Sequence, residues 1–198
     1  MKLHWGGSFD GDESILPVRE NEPGATKFKE PDMRTFGIIA NVFALVLLMV
    51  FAVLLHVRGV GLPTYTGENA LVGMLYSFAL LVAFFLSIPV HELLHAIWFK
   101  GDVSMYIWKS LGMFVTSTDD ISKKRFIVMS LFPVFMLGII PFLFVMMFPQ
   151  FKLLGWFAVL SLSGGAGDFI NIFNAATLVP RKGRIYMNGT KTYCYVPL

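Results

Sequence analysis

Four long apolar segments, separated by polar stretches, dominate the chain. Each segment is rich in Leu, Val, Phe, Ile and Met, and they cover residues 37–57, 71–99, 126–148 and 153–179. A helix needs about 20 apolar residues to cross the roughly 30 Å hydrocarbon core of a bilayer, and every segment is long enough. The pattern therefore predicts an all-α integral membrane protein with four transmembrane helices.

The stretches outside these segments predict only small cytoplasmic β elements. Residues 1–36 are polar, mixed in charge and rich in Gly and Pro, which is typical of a loosely ordered tail, and they contain no recognisable cleavable signal peptide. Residues 103–115 mix β-branched and aromatic residues, and Asn188-Gly189 is a hairpin signal. The predicted domains are a polar N-terminal tail (1–36), a four-span membrane domain (37–179) and a C-terminal tail with a β-hairpin (180–198).

Composition and charge agree with a membrane protein and indicate its orientation. Hydrophobic residues make up 56% of the chain and charged residues only 15%. All lysines and arginines except Arg58 and Lys152 lie in the two tails or in the loop between the second and third segments. The positive-inside rule then places both termini and that loop in the cytoplasm of a multi-pass protein of the cell membrane. This topology accounts for the net charge of +3, so the expected partner is the lipid bilayer and no nucleic acid is implied.

The second apolar segment contains the motif HExxH, at His91-Glu92-Leu93-Leu94-His95. Residues four apart share a face of a helix, so the two imidazoles can bind one zinc ion. Glu92 lies on a neighbouring face, where it can take a proton from a zinc-bound water whose pKa the metal lowers to about 7. The alternative is a pair of histidines that only hydrogen-bond to neighbouring groups. Burial in lipid disfavours it, because ionisable residues in hydrocarbon are costly and usually mark function.

A catalytic zinc needs a third protein ligand, and Asp168 is the strongest candidate. It lies in the fourth segment and, like the motif, in the cytoplasmic half of the predicted membrane domain. Asp119 and Asp120 are the rival acidic pair, since they follow His95 by 24 and 25 residues, although their polar surroundings also fit a solvated turn. The poorer candidates in this topology are His4 and His56, and the single cysteine, Cys194, excludes an intrachain disulfide and a multi-cysteine zinc site.

Three motifs carry a resemblance to a known family: HELLHA at residues 91–96, SLFP at 130–133 and SGGAGD at 163–168. With the four spans, they resemble an uncharacterised bacterial family of membrane zincin peptidases and, more distantly, the site-2 proteases. The resemblance covers most of the chain and implies a membrane-embedded zinc peptidase with Asp168 as the third ligand. Site-2 proteases usually have Gly after this Asp, whereas here Phe169 follows, so their substrate behaviour does not transfer directly.

The predicted function is a membrane-embedded zinc metallopeptidase that hydrolyses membrane or membrane-proximal polypeptides, with its active site toward the cytoplasm. His91, His95 and Asp168 are the predicted zinc ligands, and Glu92 is the catalytic base. Asn171, one turn beyond Asp168, is a candidate hydrogen-bond donor to the developing oxyanion. The alternative is a non-catalytic, metal-binding membrane scaffold or accessory protein. A transporter would need a polar path, and the other spans offer almost none.

Overall fold

The computed structural model describes residues 1–28, 33–61, 70–108 and 112–197. Lys29 and residues 109–111, which contributed to the predicted topology and to the predicted β segment, lie outside them. The chain divides into two compact units. The first unit consists of Met1–Pro31, Ile88–Phe132 and Phe169–Leu198, and the second consists of Asp32–Ser87 and Pro133–Asp168. The domain boundaries that the sequence suggested after residues 36 and 179 stay predictions.

Six α-helices in the described residues cover most of the apolar segments. Their bounds are Met33–Val57 (α1), Ala70–Ala96 (α2), Lys123–Pro133 (α3), Ile140–Met147 (α4), Lys152–Gly164 (α5) and Ala166–Leu178 (α6). A π-helical segment, Val134–Ile139, joins α3 to α4. Long apolar runs favour helices because a helix satisfies its own backbone hydrogen bonds where water is scarce.

Three of the described helical stretches are long and apolar enough to cross a membrane: Arg34–Val57, Ala70–Ala96 and Lys123–Met147. The prediction of four transmembrane helices is wrong, because the fourth apolar segment is broken into α5 and α6, which are bent by 45°. The break falls in the sequence Gly164-Gly165-Ala166-Gly167, where three glycines lower the helix propensity. The Gly165 N–H bonds to the Ser161 carbonyl and closes α5. The bent pair counts as a fourth span only if its two halves act together.

The all-α class is also wrong, because the polar stretches form two β-sheets. The strands are Lys2–Phe9 (β1), Thr26–Lys27 (β2), Asp102–Trp108 (β3), Gly112–Thr116 (β4), Ile121–Ser122 (β5), Arg184–Asn188 (β6) and Lys191–Tyr195 (β7). One sheet has the order β1-β3-β4 and the other has the order β2-β7-β6-β5. Strands β6 and β7 pair as a hairpin whose turn contains Gly189, with a φ of 65° that suits glycine.

The N-terminal residues form structure where the sequence suggested a loose tail. Strand β1 runs parallel to β3 and pairs with it from Lys2 to Phe9. Phe9 is buried with Leu16 and Tyr106 in a small core beside this sheet. The expectation of a loosely ordered tail is therefore wrong for this stretch, because its apolar residues pair with a strand about 100 positions away.

The main core of the first unit packs the C-terminal end of α2 among strands and helices. Ala96 at that end is buried with Val103 of β3, Val115 of β4, Met129 of α3 and Ala175 of α6. Ala96, Val103 and Ala175 have no exposed surface. Complete burial of a valine side chain contributes about 1.5–3 kcal/mol, so this core stabilises the part of α2 that carries the HExxH motif.

The second unit is a helical packing of α1, α4 and α5. Gly155 of α5 permits close contact, because a Cβ there would lie 3.0 Å from Val145 Cγ1 and 3.4 Å from Leu55 Cδ1. The Phe51 and Phe142 rings meet edge to face at 4.9 Å. Many large apolar side chains of α1 are exposed, among them Ile38, Val42 and Val53.

Candidate metal centre

The two motif histidines lie on one face of α2, close to its C-terminal end. His91 and His95 are one helical turn apart, and their ring centroids are 4.9 Å apart with an interplanar angle of 77°. Pro89 lies inside the same helix, two residues before His91. The helix therefore brings both imidazoles to one place by local geometry alone, as the motif spacing predicts.

The distance between the two imidazole Nε2 atoms fits a shared zinc ion. These atoms are 3.2 Å apart. Zinc binds histidine nitrogen at about 2.0–2.1 Å, so two nitrogens on one tetrahedral ion lie about 3.3 Å apart. The pair of nitrogens therefore has the chemistry and the separation that zinc requires.

A backbone carbonyl orients the His95 ring. Nδ1 of His95 lies 3.0 Å from the carbonyl oxygen of Met129 in α3. A carbonyl only accepts hydrogen bonds, so Nδ1–H is the donor, and the neutral ring then has its lone pair on Nε2. Metal-binding histidines commonly donate their second N–H in this way. The contact holds Nε2 in the form that binds a metal.

Asp168 supplies a third ligand atom. It lies in the first turn of α6 and is only 8% exposed. One carboxylate oxygen of Asp168 and one nitrogen each of His91 and His95 lie within 4.8 Å of one another. The N-terminal end of a helix favours a negative charge, which suits a carboxylate ligand. Two imidazoles and one carboxylate are a donor set that zinc takes in hydrolytic enzymes, so the residues fit this ion.

Glu92 contacts the edge of a strand. Its Oε2 accepts a hydrogen bond from the backbone N–H of Val115 in β4, at 3.1 Å. Val115 pairs with Met105 in the antiparallel β3–β4 ladder, and its N–H points away from β3 toward α2. The motif glutamate is therefore oriented by the strand beside the helix, next to the two histidines.

Asp119, one of the rival acidic ligands, has a structural role. Its Oδ2 accepts hydrogen bonds from the backbone N–H groups of Lys100 at 2.8 Å and Gly101 at 2.6 Å. These residues connect the end of α2 to β3. Asp119 thus fixes the chain where it leaves the motif helix, and it is absent from the group of three ligand atoms in the described residues.

Asp120, the other rival, belongs to an ion-pair network in the second sheet. Its Oδ2 accepts hydrogen bonds from the Arg184 guanidinium and from the Tyr195 hydroxyl. Burial alone would raise the pKa of Asp120, but the bonds from Arg184 and Tyr195 outweigh it and lower the pKa. Burial and the bond to Asp120 raise the pKa of Tyr195 to about 12. Asp120 therefore stays ionised as a structural anion.

The remaining candidate residues lie outside the group of three. Asn171 is half-buried in α6, three residues after Asp168, and its part in catalysis stays a prediction. His56 lies in the last turn of α1. His4 lies in β1, with Nε2 3.4 Å from the Asp102 carboxylate. Within the described residues, the structure groups the two motif histidines with Asp168 and with none of these alternatives.

Two backbone groups of the site were missed by the sequence analysis: the Met129 carbonyl and the Val115 N–H. No side-chain pattern in the sequence indicates either backbone group. The β-prone composition of residues 103–115 predicted a strand after α2. It did not predict the register of that strand or the face that contacts Glu92. Such contacts depend on the tertiary fold, and a single sequence does not encode them locally.

Comparison with families of known proteins gives a match to a peptidase family. The family described as "Putative zincin peptidase" matches residues 84–182, which is 99 of the 198 residues. The matched region contains the HExxH motif, the strands β3 to β5 and Asp168. No curated protein and no solved structure matches the chain significantly.

Proposed function

This chain belongs to the Putative zincin peptidase family, and on that premise we propose that it is a membrane-embedded zinc metallopeptidase. The proposed zinc ligands are His91, His95 and Asp168, and the proposed catalytic base is Glu92. The observation that carries the proposal is the group of three ligand atoms, within 4.8 Å of one another, on and beside the HExxH helix.

The proposed chemistry divides between the zinc and Glu92. Bound zinc would supply Lewis acidity, which makes water a nucleophile near neutral pH and polarises a peptide carbonyl. Glu92 takes the proton from the attacking water and passes it to the leaving nitrogen of the cleaved bond. The Val115 N–H orients the carboxylate for both transfers, and the Met129 carbonyl keeps the His95 lone pair on Nε2.

The proposed substrate is a membrane or membrane-proximal polypeptide, bound in extended form. Strand β4 lies at the end of the order β1-β3-β4, and the N–H of its Val115 faces the motif helix. An extended peptide can add to the other backbone groups of this edge, beyond the Val115 N–H that Glu92 occupies, and its backbone would then lie beside Glu92. The long apolar helices support a membrane location, and the distribution of Lys and Arg supports a cytoplasmic active site.

Metal analysis tests the proposal most directly. Zinc content would be measured by mass spectrometry on detergent-purified wild type and on His95→Ala, Asp168→Ala and His56→Ala. We expect about one zinc per chain in the wild type and in His56→Ala, and less than about a tenth of that in the two ligand variants. The His56 variant controls for histidine content, because His56 lies on α1. Folded wild type that binds no zinc would overturn the proposal.

Activity would be measured on a proteome-derived peptide library, with new termini detected by mass spectrometry. We expect cleavage by the wild type that a chelator abolishes and added zinc restores. Zinc binding without any cleavage, on soluble peptides and on membrane polypeptides in vesicles, would instead support the metal-binding scaffold.

A further inference from the structure

A polar pocket in the first unit lies outside the proposed zinc site. Its volume is about 300 Å³, which is room for roughly ten water molecules. The charged and polar residues that line it are Lys100, Asp119, Asp120, Ser122, Arg125 and Arg184. Three cationic side chains and two carboxylates therefore face one cavity.

Both carboxylates of the pocket are already engaged by donors of the protein. Asp119 accepts from the backbone N–H groups of Lys100 and Gly101. Asp120 accepts from the side chains of Arg184 and Tyr195. Both carboxylates are thus held by other donors, and three cations against two carboxylates leave the lining of the pocket with a formal excess of one positive charge.

The side chains of two other cations of the pocket, Arg125 and Lys100, are not held by such bonds in the described part of the chain. Arg125 has its Nε shielded from solvent, and this atom has no hydrogen-bond partner among the described residues. The ion pairs found in the described part of the chain include neither Arg125 nor Lys100. A guanidinium held in a protein without an acceptor is costly, so Arg125, whose side chain lines the pocket, is poised for an anion that enters it.

The position of these cations indicates the source of the anion. Lys100 lies four residues beyond the end of α2, and Arg125 lies in the first turn of α3. Both helices belong to stretches that are long and apolar enough to cross a membrane. Basic residues just beyond such helices lie at the level of lipid headgroups, where anionic phosphates are concentrated.

We propose that this pocket binds a phosphate group through Arg125 and Lys100, and that the phosphate is the headgroup of an anionic phospholipid. Arg125 offers a planar fork of N–H donors that matches phosphate oxygens, and Lys100 adds a flexible point charge. Arg184 completes the positive lining while it remains paired with Asp120. The inference rests on the proposed membrane location and not on the proposed peptidase activity.

Native mass spectrometry of the detergent-purified full chain tests this inference. The probes are dioleoyl-phosphatidylglycerol, dioleoyl-phosphatidylcholine and inorganic phosphate, each titrated separately. The variants are Arg125→Gln and Lys100→Gln together, and Lys124→Gln as the matched control. Lys124 is an exposed neighbour of Arg125 that does not line the pocket. Circular dichroism and gel filtration would confirm that each variant is folded, and Arg125→Lys gives a milder second variant.

We expect the wild type to bind one phosphatidylglycerol more tightly than phosphatidylcholine. The double variant should weaken this binding about tenfold or more, while Lys124→Gln changes it less than about twofold. Inorganic phosphate that binds with the same dependence on Arg125 would support a phosphate site filled from solution. Equal binding of the two lipids without phosphate binding, or an equal loss in Lys124→Gln, would overturn the proposal. Zinc content and cleavage do not enter this readout, so its failure is distinct from failure of the proposed function.

Discussion

Glu92 and Asp120 mark two regions of the first unit in which a carboxylate is held by different kinds of donor. On α2, Glu92 accepts from the backbone N–H of Val115. In the second sheet, Asp120 accepts from the Arg184 guanidinium and the Tyr195 hydroxyl. A guanidinium adds a permanent positive charge beside the carboxylate, whereas a backbone N–H orients a carboxylate without adding formal charge.

The bonds to Arg184 and Tyr195 mark Asp120 as a structural anion, whereas Glu92 is the residue proposed to carry a proton. Arg184 and Tyr195 lower the pKa of Asp120 against the effect of burial, so that carboxylate does not titrate near neutral pH. Glu92 lies one residue from His91, on the helix that presents the proposed zinc ligands. Neutralising Glu92 should therefore lower catalysis, whereas neutralising Asp120 should lower stability.

The largest effect is expected from Glu92→Gln. This change keeps the size of the side chain and one acceptor oxygen for the Val115 N–H but removes its ability to take a proton. General acid–base catalysis contributes about 10²–10⁴-fold, so cleavage of the peptide library should fall by that factor while the zinc content is unchanged. Asp120→Asn is the control, and its cleavage rate should stay within about twofold of wild type. Full activity in Glu92→Gln would contradict the assignment of Glu92 as the base.

Asp120→Asn should instead lower stability. The change removes the charge that pairs with Arg184 and weakens the bond from Tyr195, in a pair whose side chains are 38% and 28% exposed. We expect a loss of about 2 kcal/mol, measured as a lower melting temperature in detergent. Glu20→Gln, at an exposed position, serves as the control and should change the melting temperature little. A melting temperature equal to that of wild type would show that the network is not stabilising.

Val115→Pro probes the strand that contacts Glu92. Proline removes the N–H that donates to the carboxylate, so we expect an activity loss of about tenfold, equivalent to one hydrogen bond to a charged group. Met113→Pro is the matched control, because residue 113 occupies the same outward-facing phase of β4. Equal losses in the two variants would assign the effect to the β4 edge as a whole, through strand distortion or loss of peptide binding, and would contradict a specific role of the Val115 N–H in orienting Glu92.

The sequence predicted the part of the site that depends on local geometry. His91, Glu92 and His95 lie on one helix, so a fixed number of residues per turn brings them together without tertiary information. The long apolar runs likewise predicted helices at three candidate spans. The sequence did not specify the register of β4 or the approach of Met129 to His95, because both contacts involve backbone groups that side-chain patterns do not determine.

Two errors in the predicted fold have different physical origins. The break between α5 and α6 had a local signal in Gly164-Gly165-Ala166-Gly167, but the uniform apolarity on both sides suggested one continuous helix. The pairing of β1 with β3 had no local signal, because it joins residues about 100 positions apart. The first error came from predicting a continuous helix from apolarity alone, and the second from non-local pairing that one sequence cannot reveal.

The smallest effect is expected from Tyr195→Phe, and it should depend on pH. The bond that Tyr195 donates to Asp120 is 2.5 Å long, and its loss should cost about 1 kcal/mol at neutral pH. Burial and this bond raise the pKa of Tyr195 to about 12, above the value of about 10 in an unfolded chain. The folded protein thus holds the proton more tightly, so the stabilisation is complete below pH 10 and is lost as the pH rises toward 12. Melting temperatures of wild type and Tyr195→Phe should therefore converge between pH 10 and 12. A difference between wild type and Tyr195→Phe that stays constant across this range would show that the Tyr195 proton does not stabilise the sheet.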